Sequence, residues 1–196
     1  MEEEYRAGVR SRVHRRLYEV LRGQLLGRVS VLGVGNRLRG DDGAGSIVAR
    51  RLASAMEHAG SDSIFDGGLA PENWLERVVG SNPDTVLLID AVAMGEAPGT
   101  MRVVDGSKVE GGFGTHRLPL ELAVRYLASR GIDRVVFVGI EPRTSRVGEG
   151  LSSEVSQAVG DLEMILRDLL GETVPPGSVR SGRPIGNGID GERRKG

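Results

Sequence analysis

The chain has 196 residues, 39% of them hydrophobic, with 30 glycines, no cysteine, and 26 basic against 27 acidic residues for a formal net charge of −1. That length suits one domain with a core large enough to stand without staples, and the charge balance argues against a nucleic-acid footprint. Zero cysteines exclude disulfides, thiolate metal sites and a cysteine nucleophile, so any metal must be held by His, Asp or Glu.

In chain order, Tyr5, Val9, Val13, Leu17, Leu21 and Leu25 recur four apart, which predicts an amphipathic helix within residues 1–27. Arg6, Arg10, Arg12, Arg15, Arg16 and Arg22 make it basic. Such a helix either packs on the domain or docks an acidic partner or an anionic surface. As a docking helix it is expected to be separable, so that deleting residues 1–24 leaves folding intact. Val29–Val34 is a buried strand that runs into a glycine-rich turn, and Ile47, Val48, Leu52, Ala55 and Met56 follow at helical spacing. Ser63–Phe65 is a short strand ending at Asp66-Gly67-Gly68. Pro71, a residue favoured at the first helical position, opens a helix carrying Trp74, Leu75, Val78 and Val79. Thr85–Ile89 is a wholly apolar strand that ends in Asp90, and the alternation of Thr100–Val104 after Pro98-Gly99 marks an edge strand. A helix over about 117–130 closes at Gly131, Val135–Ile140 is another buried strand, and Ser152 caps a last helix over Glu154–Leu170. Residues 172–196, with Pro175-Pro176 and few aliphatic side chains, read as a disordered tail, which leaves residues 28–171 as the domain. Strands buried on both faces and alternating with helices predict a mostly parallel sheet of about five strands, covered on both sides. No apolar run approaches the ~20 residues of a membrane span, and Met1-Glu2-Glu3-Glu4 does not open a signal peptide. The expectation is a soluble, cytoplasmic protein.

Ligands of such sheets sit beyond the carboxyl ends of the strands. After the first strand come Gly33, Gly35, Asn36, Gly40, Asp41, Asp42, Gly43 and Gly45. The glycines suggest a backbone kept uncrowded near a ligand, and Asn36 is expected to bond its own loop. Leu38 stands where a dinucleotide fingerprint needs glycine, and the Asp41-Asp42 pair would repel a pyrophosphate, so no nucleotide is expected. Asp90 follows an apolar strand, where a charge is costly unless it is paired, hydrogen-bonded or metal-bound; the simpler reading is a turn-forming Asp. Asp42, Asp90 and His116 would together make an O,O,N metal site with open positions, suited to zinc, nickel or manganese. His14 and His58 need no functional role. Glu141 either positions a group at the cleft, caps a helix, or pairs with Arg37 or Arg39. With no Gly-x-Ser-x-Gly elbow, a serine protease is not indicated.

The run Leu32-Gly33-Val34-Gly35-Asn36-x-Leu38-x-x-Asp41-Asp42-Gly43-x-Gly45 closely resembles the opening motif of the [NiFe]-hydrogenase maturation endopeptidases. The resemblance continues through Asp66-Gly67-Gly68, Ile89-Asp90-Ala91, Ala97-Pro98-Gly99-Thr100, Thr115-His116, Gly139-Ile140-Glu141-Pro142 and Gly150-Leu151-Ser152. It implies a three-layer α/β/α sandwich of the phosphorylase/hydrolase-like kind. It also implies an endopeptidase that cuts a C-terminal extension from a hydrogenase large-subunit precursor once nickel is inserted. In that scheme the nickel arrives with the substrate and is contacted by Asp42, Asp90 and His116. Asp66 matches a further acidic position of the family, and Gly33, Gly35, Asn36, Asp41, Gly43, Asp66 and Glu141 make up the cleft set. The chain is expected to act as a monomer, without nucleic acid. The rival function is a non-catalytic, chaperone-like module that senses the metal state of a precursor.

Overall fold

A computed structural model describes residues 12–56, 61–104 and 120–173. Arg6, Arg10, His58, Gly111-Gly112-Phe113-Gly114, His116 and the tail from residue 174 lie outside the described residues. The elements are α1 (Arg12–Gln24), β1 (Val29–Val34), α2 (Ala44–Ala55), β2 (Ile64–Gly68), α3 (Leu75–Gly80), β3 (Thr85–Ala91), β4 (Met101–Val104), α4 (Leu120–Ser129), β5 (Val135–Ile140) and α5 (Ser153–Thr173). Short 3₁₀ turns at Gly40–Gly43 and Pro71–Trp74 lead into α2 and α3.

The apolar runs associate in the order β2-β1-β3-β5-β4, all parallel except β4, which pairs antiparallel with β5 at the edge. Strands with both faces covered must be apolar at nearly every position, and β1 and β3 are buried throughout. On one face Val31, Leu87, Ile89 and Val138 meet Leu21 of α1, Leu52 of α2 and Leu162 of α5. On the other, Leu32, Val86, Leu88 and Phe137 meet Val78 of α3 and Leu127 of α4. This is the expected α/β/α sandwich. From β1 the chain moves outward to β2, then returns to β3 on the opposite side of β1. The carboxyl ends of β1 and β3 therefore flank a topological switch point, where open sheets of this kind leave a crevice.

Helix α1 is part of the domain. Leu17, Leu21 and Leu25 are buried in the core, Tyr18 Oη donates to Asp168 Oδ2 of α5 at 2.8 Å, and His14 Nε2 lies 3.4 Å from Asp161 Oδ2. The apolar stripe faces the sheet, with Arg15, Arg16 and Arg22 left exposed. Removing α1 would open the core around Leu21, so the helix is not a separable appendage.

Candidate active site at the carboxyl ends of β1 and β3

Asp90 lies inside β3 rather than after it. The strand continues to Ala91, and Asp90 pairs with Gly139 of β5. Alternation along β3 puts Asp90 on the face of Val86 and Leu88, the side covered by α3 and α4. It is 5% exposed, and its Oδ1 accepts a hydrogen bond from the Ala91 amide at 2.8 Å. Burial pushes the Asp90 carboxyl well above the usual carboxylate range, and the charge of Asp42 adds to that push against the opposing Ala91 hydrogen bond. The two carboxylates, 48 positions apart in sequence, thus stand within electrostatic reach of each other at the switch point.

Asp42 reaches this point through the turn after β1. Gly35 has φ +143°, and a Cβ there would lie 2.1 Å from Asp42 O, so only glycine lets the turn fold back on itself. The Asn36 amide donates to Asp42 Oδ2 at 3.3 Å, and Asn36 Oδ1 accepts from the Leu38 amide at 3.0 Å, the self-bonded loop expected of this residue. The remaining glycines are uncrowded for the chain's own sake. A Cβ on Gly33 would meet Gly45 O at 2.1 Å, one on Gly45 would meet Ile89 O at 2.1 Å, and one on Gly43 would meet the Arg37 Cα at 2.7 Å. They let α2 press its first turn onto the ends of β1 and β3. That closeness is what holds Asp42 beside Asp90.

Other acidic residues grouped with the cleft have different surroundings. Asp41, next to Asp42, is fully buried and turned towards the 141–152 loop. Its Oδ2 accepts from the Arg143 and Thr144 amides at 2.8 and 3.0 Å and from Ser152 Oγ at 3.0 Å, and its Oδ1 accepts from the Ser152 amide at 2.6 Å. It is a latch joining two loops. Glu141 makes neither of the ion pairs considered for it: its Oε2 accepts from the Met94 amide at 2.6 Å and the Glu96 amide at 3.2 Å, pinning the loop after β3. Arg37 lies instead 3.8 Å from Asp66, and Arg39 Nε donates to Ser145 O at 3.2 Å. Asp66 projects under α2, where Ser46 Oγ donates to its Oδ1 at 2.6 Å, on the opposite face of the sheet from Asp90. Sequence reasoning missed Ser46, since its link to Asp66 spans 20 positions and exists only after α2 docks.

A protein-family model for hydrogenase maturation proteases, named HycI, matches residues 47–168 of the chain. The chain belongs to the hydrogenase maturation protease family. Its similarity to the hydrogenase 3 maturation protease of Escherichia coli is 38% identity over 114 residues, covering 57% of this chain and 71% of that protein. Among solved structures, the crystal structure of the [NiFe] hydrogenase maturation protease HycI from Thermococcus kodakarensis matches with TM-score 0.70 at 27% identity. That match covers 80% of this chain and 99% of the other. The solution structure of the endopeptidase HycI from Escherichia coli matches with TM-score 0.64 at 32% identity, over 72% of this chain and 90% of that one.

In this hydrogenase maturation protease, the described residues bring Asp42 and Asp90 together, while Asp41, Asp66 and Glu141 accept hydrogen bonds from the 141–152 loop, Ser46 and the loop after β3, respectively. Among the described residues, no group of three His, Asp or Glu side chains stands close enough to hold a metal ion. His116, the nitrogen donor expected from the sequence, lies outside them. Among the described residues, too, no helix is long and apolar enough to cross a membrane.

Proposed function

We propose that this protein is an endopeptidase that removes the C-terminal extension of a [NiFe]-hydrogenase large-subunit precursor after nickel insertion. In this reading the nickel belongs to the substrate and is met by Asp42, Asp90 and His116. The observation that carries it is the pair of buried carboxylates at the switch-point crevice, with burial and the Asp42 charge holding Asp90 towards its protonated form. An arriving divalent cation relieves that repulsion and displaces the proton, which is the behaviour of a site waiting for a metal. Two oxygens and an imidazole nitrogen are donors that suit nickel. His116 precedes Leu120, the start of α4, by four residues, and α4 packs on the face towards which Asp90 projects.

Nickel on the substrate would supply polarisation of the scissile carbonyl or acidification of a water. The chain's own residues do the rest. The Asn36 amide aims Asp42, the Ala91 amide aims Asp90, and one of the two carboxylates takes the proton of the attacking water. The packing of Gly33 and Gly45 fixes the separation between them.

The test mixes the protein with nickel-loaded and nickel-free precursor and weighs the products. Loss of a C-terminal peptide from the loaded precursor alone is the expected result, abolished in His116→Ala and strongly slowed in Asp90→Asn. Normal processing by both variants would refute the site. Binding of loaded precursor without cleavage would instead favour a metal-sensing chaperone.

A further inference from the structure

Exposed large apolar side chains gather on the loops that follow β1, β2 and β5: Leu38 is 73% exposed, Leu69 58% and Val147 75%. Single exposed leucines are ordinary on a protein surface, but these stand on loops tied to one another around the mouth of the crevice. The Gly148 amide donates to Leu38 O at 2.9 Å, the Gly40 amide to Glu149 O at 3.1 Å, and the Gly35 amide to Gly68 O at 3.0 Å. Beneath them the four hydrogen bonds to Asp41 hold the first and last of these loops together. The apolar side chains are therefore displayed on a firm platform.

Arginines adjoin these side chains in the chain, Arg37 and Arg39 on either side of Leu38 and Arg146 before Val147. Arg37 reaches Asp66 only at 3.8 Å, Arg146 reaches Glu149 only at 3.8 Å with its side chain 82% exposed, and Arg39 donates to a backbone carbonyl. Exposed pairs at such distances are weak and exchange readily for a better partner. Exposed apolar side chains with loosely held cations next to them have the composition of a protein-docking surface with a preference for acidic partners.

We propose that this rim is where the folded body of the precursor docks, through a surface apolar at its centre and acidic at its edge. The proposal rests on the reading that the crevice acts on a large-subunit precursor. A partner whose C-terminal segment enters the crevice must cover the rim around it, so the two contacts are continuous. Leu38 and Val147 are then anchors for recognition and take no part in the chemistry.

The experiment uses the full chain and immobilised nickel-loaded precursor, comparing wild type with Leu38→Glu/Val147→Glu and with Arg39→Glu/Arg146→Glu. The first pair is expected to weaken binding about tenfold or more, with KM for cleavage rising in step and kcat unchanged. The second is expected to weaken binding and flatten its dependence on salt. Should a glutamate pair lower the melting temperature, Leu38→Ser/Val147→Ser reads the same loss of apolar contact. Wild-type affinity in either pair, or no binding by the wild type, overturns the proposal. A wild type that binds through the rim without cutting overturns the endopeptidase reading alone. Normal cutting together with normal binding by both pairs overturns the docking surface alone.

Discussion

Gly45 offers a sharp test of how α2 positions the site. Gly45→Ala would place a Cβ 2.1 Å from Ile89 O, inside β3 just before Asp90, and 2.5 Å from Val34 O, at the end of β1. An ordinary carbon–oxygen contact is about 3.3 Å, so α2 must retreat by roughly 1 Å. Overpacking of this kind costs about 1–3 kcal/mol, and the upper end applies because both obstructing atoms are backbone. For a chain of this size that is a fall in Tm of roughly 6–12 °C. Helix α2 begins at Ala44, so its retreat carries Asp42 away from Asp90, and a 1 Å misplacement at a reacting centre costs about 100-fold in rate. Gly160→Ala is the control, since a Cβ there meets nothing within 4 Å in the middle of α5. The same chemical change is expected to raise stability there by roughly 0.5–1 kcal/mol through helix propensity. Thermal unfolding followed by circular dichroism, with cleavage of loaded precursor followed by mass, reads both effects. A Gly45→Ala protein that melts and cuts like wild type would refute the argument that this glycine sets the carboxylate separation.

The remaining predictions concern the buried polar groups and α1. Asp41→Ala leaves the Arg143, Thr144 and Ser152 amides without their acceptor and should destabilise by about 3 kcal/mol in urea unfolding, with Asp41→Asn intermediate. Asp90→Asn should stabilise the metal-free protein increasingly as pH rises. A carboxyl whose folded pKa is raised by burial binds its proton more tightly in the folded state, so wild-type stability falls as pH climbs from the unfolded value of about 3.9 through the folded one. The Tm difference between variant and wild type should therefore be small near pH 4 and grow towards pH 7; a constant difference would contradict the burial. Leu21→Ala should cost about 2–5 kcal/mol, because this fully buried side chain of α1 belongs to the core, and a cost within the surface range would make α1 an appendage after all.

The sheet was legible because its physics is local. A strand covered on both faces must be apolar at successive positions, and Val29–Val34, Thr85–Ile89 and Val135–Ile140 each show such a run. The buried setting of Asp90 was legible for the same reason, since a carboxylate beside an apolar run is costly unless paired, hydrogen-bonded or metal-bound. The packing of α1 was half legible: its four-residue stripe shows that one face is apolar, but a stripe does not say whether the sheet or a partner covers it. The burial of Leu17, Leu21 and Leu25 answers that in favour of the sheet.

Asp41 and Asp42 show where such reading stops. They are adjacent, chemically identical and both buried, yet the 3₁₀ turn Gly40–Gly43 sends one carboxylate to the 141–152 loop and the other towards Asp90. The partners of Asp41 lie more than a hundred positions away, so nothing within the motif tells Asp41 from Asp42. Glu141 repeats the lesson, held by amides that arrive only with the tertiary fold, while Asp66 combines a local bond from the Gly68 amide with the distant Ser46 hydroxyl. Asp41 and Glu141 each accept two or more backbone hydrogen bonds and are held to the loops they join. At Asp90 burial and the like charge of Asp42 make the anion costly, against the hydrogen bond from the Ala91 amide, and an arriving cation would recover that cost. The push on Asp90 comes from its burial and from Asp42, which lies 48 positions away, so it exists only in the folded chain and the motif alone does not show it.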